Sequence, residues 1–337
     1  MKVLITGVAG FIGFHVAQRL LSEGCEVMGL DSLNDYYDPA LKKARLALLT
    51  PEAGFRFVGV DLADRTAMAV LFADQRFDRV IHLAAQAGVR YSLENPHAYV
   101  DANLSGMLNV LEGCRAQQVA HLVYASSSSV YGLNTQVPFV ESDAVDHPVS
   151  LYAATKKSGE LLAHSYSHLY GLPATGLRFF TVYGPWGRPD MAPIKFARAI
   201  CAGEVIDVYN QGDMSRDFTY IDDIVEGVVQ VLDQIPAAQP GWTPERGGRG
   251  QSSAPYRIFN IGAGQPVGLL DFIQTLELAL GMEARKNFMP MQPGDVARTW
   301  ASTEALYLQT GFSPAVGLEE GVGKFVDWYR SYYGPSV

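Results

Sequence analysis

The sequence predicts an α/β protein with a doubly wound parallel sheet and a smaller C-terminal region. Three observations predict it. A strand, a glycine turn and a helix open the chain. Short apolar runs then alternate with amphipathic stretches as far as about residue 180. An acid closes the second apolar run. Lys2–Thr6 reads as a buried strand, Gly7, Gly10 and Gly13 as a tight turn, and Phe11 to about Glu23 as a helix. Glu26–Leu30, ending in Asp31, reads as the second strand. Phe55–Val60, Arg79–Leu83, His121–Ala125 and Thr175–Phe180 read as further strands. Stretches such as Ala63–Ala73, Val100–Gln117 and Leu151–Tyr170 read as the helices between them.

Such a glycine turn lets the backbone approach a pyrophosphate, while the helix N-terminus offers free N–H groups and a positive dipole end. Asp31 stands where a βαβ unit of the Rossmann type needs an acid for the adenosine ribose hydroxyls. An acid there repels a 2′-phosphate, so NAD is expected rather than NADP.

Composition sets bounds. The 337 residues, 48% hydrophobic and 18% charged, suit a globular chain with a large core. A net charge of −9 argues against nucleic acid as a partner. Cys25, Cys114 and Cys201 are scattered, without C-x-x-C spacing, so neither disulfide nor metal site is expected. No apolar stretch approaches the ~20 residues of a membrane span, and the first strand begins at once, so a cytoplasmic setting is expected. Beyond Tyr183 the alternation weakens, which divides the chain into a dinucleotide-binding domain, 1–180, and a domain, 181–337, with some segments returning to the first. The stretch 237–255, rich in Gly, Pro, Gln and Ser, reads as a mobile surface excursion.

A second cluster follows the fifth strand. Tyr152 and Lys156 stand four apart on the long central helix, on one face. A nearby ammonium favours the phenolate and suits the tyrosine to proton transfer. Ser126–Ser129 lie at the carboxyl end of the strand, where open α/β sheets bind ligands. A serine hydroxyl there can hydrogen-bond a substrate hydroxyl beside Tyr152; the alternative is a polar turn.

Together, Gly7/Gly10/Gly13 in G-x-x-G-x-x-G spacing, Asp31, Leu83-Ala84-Ala85, the serine run before Val130-Tyr131-Gly132, and Tyr152/Lys156 resemble the nucleotide-sugar branch of the extended short-chain dehydrogenases. The resemblance runs the length of the chain and is weak only around 237–255. It implies tightly held NAD, a UDP-sugar oxidised at C4, and a homodimer through the helices near 100–117 and 151–170. By the same resemblance, Tyr152 takes the O4 proton, Lys156 holds the nicotinamide ribose and depresses the Tyr152 pKa, and Ser127 hydrogen-bonds O4. Phe11, Ile12, Asn34, Asp61, Leu62, Leu83, Ala84, Ala85 and Asn103 fall on the cofactor side. Arg216, Asp295 and Arg298 fall near the UDP phosphates, and Val208 and Tyr209 beside the uracil. Asp61 has an alternative role as a helix N-cap, and Arg216 as the partner of a neighbouring acid.

Dehydratases of this branch carry an Asp-Glu pair, and decarboxylases a Glu, where this chain has Ser128 and Ser129. Without that acid or base, the reaction left is return of the hydride to the other face of the 4-keto sugar, which is epimerisation at C4. The stretches 31–37, 86–90, 178–185 and 212–223 are similar to those of the UDP-glucuronate 4-epimerases. Thr181 stands where epimerases of UDP-galactose carry Asn. With Arg188 seven residues on, it suits a carboxylate at C6, since Arg offers a planar fork for two oxygens. Arg90 is a further basic residue beside the site, and Arg188 has the alternative of pairing with Asp190. The expected reaction is UDP-glucuronate to UDP-galacturonate. A 4-epimerase of neutral UDP-hexoses or UDP-N-acetylhexosamines, and an NAD-binding scaffold or sensor without catalysis, are the alternatives.

Overall fold

The computed structural model describes residues 1–334 apart from Pro244, Arg246 and Pro293. Its strands are β1 (Lys2–Thr6), β2 (Glu26–Asp31), β3 (Phe55–Gly59), β4 (Arg79–His82), β5 (His121–Ser127), β6 (Ala174–Phe179), β7 (Thr181–Tyr183), β8 (Val205–Val208), β9 (Ser215–Tyr220), β10 (Tyr256–Ile261), β11 (Pro266–Gly268) and β12 (Arg285–Phe288). Seven form one sheet in the order β10-β6-β5-β4-β1-β2-β3, with every pairing parallel. The chain runs outward through β2 and β3, then returns to the other side of β1 at β4. That reversal opens a crevice at the carboxyl ends of β1 and β4, the place where such sheets bind ligands.

Both faces of the sheet are covered, which explains the nearly continuous apolar runs. Val3 and Ile5 of β1 join one core with the helices Phe11–Ser22 and Ile221–Asp233. Leu4 joins the opposite core with the helices Arg65–Asp74, Gly106–Gln117 and Leu151–Tyr170. Period-2 alternation thus survives, with both sides apolar.

Two features differ from the sequence reading. First, β5 runs on through Ser126 and Ser127, because these pair with Arg178 and Phe179 of β6. Half the serine run is therefore strand rather than turn. Second, the stretch expected as one helix from Val100 contains a π turn, Asp101–Ser105. Such turns re-aim side chains near functional sites. Here the turn points Asn103 at the loop after β4. The seventh strand, β10, comes from beyond residue 255, so the main sheet is completed by the chain's second half. Among the described residues of the segment before it there is no strand, but Arg249 donates to the Ser142 carbonyl at 2.8 Å and Ser252 meets the His164 ring at 2.9 Å.

The second half adds a three-stranded sheet, β11-β9-β7, and a pair, β12-β8. Asp217 on β9 is buried, and its carboxylate accepts from the N–H groups of Ala263, Gly264 and Ala301 at 2.7, 3.0 and 3.0 Å. Asp223 accepts from Ala315 and Val316 at 3.0 and 3.1 Å. Asp217 and Asp223 thus stitch loops together and leave Arg216 lining the crevice. No helix of the described residues is long and apolar enough to cross a membrane.

Candidate active site

One cavity of about 1040 Å³ runs from the glycine turn to the second half of the chain. At one end the glycines are required by space. Gly7 has φ +74°, and a Cβ on it would come within 2.7 Å of the Ala84 nitrogen. A Cβ on Gly13 would come within 2.2 Å of the Gly7 carbonyl oxygen. The turn is closed by Gly7 N–H donating to Leu30 and Gly10 N–H donating to Gly7, at 2.7 and 2.9 Å. Asp31 ends β2 with its carboxylate accepting from Ala9 and Leu33 N–H groups at 3.1 and 2.9 Å, which fixes it at the cavity wall. Phe11, Ile12, Asn34, Asp61, Leu62, Leu83, Ala84 and Ala85 line the same end. The cradle of backbone and the fixed acid fit a dinucleotide such as NAD.

Asp61 is not a helix cap. The cap of the helix Arg65–Asp74 is Asp64, which accepts from Thr66 and Ala67 at 3.0 Å. Asp61 stays exposed at the cavity. Asn103 does not line the cavity. Its amide is spent on Gln86, accepting from its N–H at 2.8 Å and donating to its carbonyl at 3.0 Å, and it donates to Thr155 at 3.0 Å. It ties the loop after β4 to the helix of Tyr152 and positions the site from behind.

The serines have separate tasks. Ser126 donates to Glu160 at 2.6 Å, and Glu160 is gripped by Arg178 through two bonds of 2.8 and 3.0 Å. This buried pair carries the helix Leu151–Tyr170 on β6. Ser127 faces the cavity, hydrogen-bonded to Ser129 at 3.1 Å and to Tyr152. Ser128 and Ser129 form a short 3-10 turn, and both line the cavity. Among the described lining residues there is no Glu and no His.

Ser150 caps the central helix, accepting from Ala153 at 3.1 Å, so Tyr152 emerges in its first turn. Burial raises the Tyr152 pKa, against which the Ser127 hydrogen bond and the Arg188 charge pull it down. Lys156 donates to the Ala125 carbonyl at 2.9 Å, with its nitrogen 6.0 Å from the centre of the Tyr152 ring. Burial first and Arg188 second lower Lys156 to about 8. Against burial, which raises Tyr152, the groups that pull it down are Ser127 and Arg188, while the Lys156 ammonium is turned to the Ala125 carbonyl.

At the other end of the cavity two of the arginines are paired with acids. Arg188 lines it, but gives Nε and Nη2 to the two oxygens of Asp190 at 3.1 and 2.5 Å. Tyr36 donates to the same carboxylate at 3.0 Å. Arg216 donates to Asp295 at 2.8 Å and to the Ser215 and Ala297 carbonyls at 3.0 Å. Thr181, Tyr209 and Asp295 line the wall. Arg90 also lines it and lies over the Tyr209 ring at 5.3 Å, joining the loop after β4 to the turn after β8. Two expected residues are elsewhere. Val208 is wholly buried in the core. The Arg298 side chain is 67% exposed, 3.9 Å from Asp213, and outside the cavity. Sequence reasoning missed Tyr36, Asp190 as a cavity residue, and Lys42, which donates to Asn34 at 2.6 and 2.7 Å. The pattern Gly-Arg-Pro-Asp held the signal for Asp190.

Against known families, residues 3–262 match the family model described as NAD dependent epimerase/dehydratase. The chain belongs to that family. An uncharacterised 37.6 kDa protein of Escherichia coli O111:H- is 62% identical over 99% of both chains. A probable UDP-glucuronate 4-epimerase of Rhizobium meliloti is 54% identical, over 99% of this chain and 98% of its own. The solved UDP-glucuronic acid 4-epimerase from Bacillus cereus, in complex with UDP-glucuronic acid and NAD, matches with a TM-score of 0.88 at 34% identity. That match covers 99% of this chain and all of the other. As a family member, this epimerase/dehydratase has its glycine turn, tyrosine, lysine and serines on one cavity.

Proposed function

We propose that this family member is an NAD-dependent isomerase that inverts C4 of a UDP-sugar, and that the sugar is UDP-glucuronate, converted to UDP-galacturonate. The observation that supports the reading most is the composition of the wall around Tyr152. Ser127, Ser128 and Ser129 stand beside it, and no Glu or His is among the described lining residues. Tyr152 can deprotonate a hydroxyl, and the two positions after Ser127 hold Ser128 and Ser129 rather than a carboxylate that could pull a C5 proton and expel water. Similarity to UDP-glucuronate 4-epimerases supports the same reading.

NAD, held by the Gly7–Gly13 turn and Asp31 in residues 1–180, supplies the hydride acceptor and donor at C4. Tyr152 accepts the O4 proton, and Ser127 orients it. Lys156 would hold the nicotinamide ribose when NAD is bound. Residues 181–337 supply most of the UDP-sugar contacts, with Arg216 and Tyr209 toward the nucleotide. Thr181 and Arg188 face the C6 carboxylate. A 4-keto uronate is a β-keto acid, which loses CO₂ when its carboxylate bond aligns with the ketone π system. The residues that hold the carboxylate therefore guard the product as well as the substrate.

The protein is also proposed to pair with a second copy. The helices Gly106–Gln117 and Leu151–Tyr170 share an outer groove lined by Leu104, Leu108, Leu161 and Leu162 with three serines. Leu108 and Leu161 are 42% and 57% exposed there. Two copies joined through these faces would close a four-helix packing. Light scattering should give the mass of two chains, and Leu161→Glu the mass of one.

The activity is tested by incubating the NAD-loaded protein with UDP-glucuronate, UDP-glucose and UDP-N-acetylglucosamine and identifying products by NMR. UDP-galacturonate as the leading product is expected.

A further inference from the structure

We propose that Asp190 is a specificity-determining positioning residue, which keeps the grip of Arg188 on a sugar carboxylate weak enough for the sugar to turn over. The proposal rests on the UDP-glucuronate reading and extends it.

The geometry is specific. Arg188 and Asp190 are two residues apart, and the guanidinium meets the carboxylate with two donors. Both groups line the cavity, and both side chains are 23% exposed. Asp190 is held from a second side by the Tyr36 hydroxyl. Tyr36 is itself fixed by close approach to the loop after β4: a Cβ on Gly88 would come within 2.3 Å of its hydroxyl oxygen. Asp190 is therefore a built part of the wall and not a loose surface acid.

A guanidinium has five N–H donors. Asp190 takes Nε–H and one Nη2–H, which leaves three N–H donors, on the edge formed by Nη1 and Nη2, for a ligand. A carboxylate arriving there meets an arginine whose plane is fixed and whose charge is already balanced. Its attraction is reduced by the like charge of Asp190. For an enzyme that only binds, this arrangement wastes affinity. For one whose 4-keto sugar must present both faces in one cavity, a bare arginine would lock the carboxylate in one orientation. Tight binding of one ground state does not help a reaction that passes through two.

The test uses the NAD-loaded protein with Asp190→Asn, which keeps the shape and removes the charge, and Asp190→Ser as a second removal. Asp190→Glu restores the charge. Calorimetry measures affinity for UDP-glucuronate and UDP-glucose, and steady-state kinetics follow UDP-glucuronate. Both removals should bind UDP-glucuronate about tenfold tighter, a fraction of the full effect of one adjacent charge. UDP-glucose affinity should stay within about twofold. KM and kcat for UDP-glucuronate should fall together, and Asp190→Glu should return both toward wild type. A merely structural role would weaken both ligands and raise KM. Weaker or unchanged UDP-glucuronate binding in both removals overturns the proposal and leaves the reading it rests on intact. A wild-type protein that does not bind or turn over UDP-glucuronate overturns both.

Discussion

The two ends of the cavity recognise their ligands by opposite means. The cofactor end is made of backbone. Gly7, Gly10 and Gly13 leave no room for side chains, and the acid that completes it, Asp31, is held by backbone N–H groups. The substrate end is made of charged side chains, and two of its cations have acids of their own: Arg188 has Asp190, and Arg216 has Asp295, while Arg90 lies over the Tyr209 ring. Shape can be rigid because a dinucleotide that stays bound need not move. Neutralised charge suits a ligand that must enter, turn and leave.

The largest effect is expected where the two ends meet. Tyr152→Phe removes the proton acceptor and little else. Turnover should fall by roughly 10²–10⁴-fold with NAD retention unchanged, since general base terms have that size. A loss below tenfold in a single-turnover assay would reject Tyr152 as the base.

Arg188→Ala separates a clamp from a mere binding contact. UDP-glucuronate affinity should drop by about 1.5–3 kcal/mol, the range for a charge-assisted hydrogen bond. The sharper readout is product: some turnovers should release CO₂ and a UDP-4-keto-pentose, detectable by NMR and ¹³CO₂ capture. Exclusive formation of the 4-epimer at wild-type affinity would move the clamp elsewhere, with Arg90 next.

Arg216 and Arg298 sharpen the contrast between a cavity cation and a surface one. Arg216→Ala should weaken UDP itself and all UDP-sugars by about tenfold, the low end of the effect of losing a charge-assisted bond. Arg298→Ala, on an exposed side chain with a 3.9 Å partner, should change UDP binding by less than about twofold. Equal losses in fluorescence titrations would contradict the geometry.

A further effect is on stability and lies in the first half of the chain. Burial lowers His15 and His121 to about 4 and His82 to about 3. Below the ordinary value of 6.5 the unfolded chain binds protons that the folded one refuses. Stability from these groups is therefore complete above about pH 6.5 and is lost as pH falls toward 4. Thermal midpoints should decline between pH 7 and 5, and His121→Gln should flatten that slope. An unchanged slope would remove His121 from the account.

The same contrast explains what was legible in the sequence. The strands of the main sheet and the glycine turn could be read because they follow from local apolar periodicity and from steric need at single positions. Tyr152, Lys156 and the serines could be read from spacing on a helix face and at a strand end. The roles within them could not. Ser126 serves a buried Glu160–Arg178 pair, and Lys156 turns to Ala125, because partners from distant strands decide each hydroxyl and ammonium. Asn103 was read as a cofactor residue, yet a π turn, which has no clear sequence signature, aims it at Gln86. Arg298 and Arg216 look alike in sequence. Which one reaches the cavity depends on β9 side-chain alternation and on Asp217 fixing the register, and both arise only when the second half closes on the first.

The central claim is that this cavity inverts C4 of a UDP-uronate without net redox. Incubation of the NAD-loaded protein with UDP-glucuronate in the absence of added cofactor, followed by ¹H NMR, tests it directly. The account predicts UDP-galacturonate accumulating to a constant ratio with no change in NADH absorbance. Inversion of UDP-glucose or UDP-N-acetylglucosamine with UDP-glucuronate left untouched would contradict it.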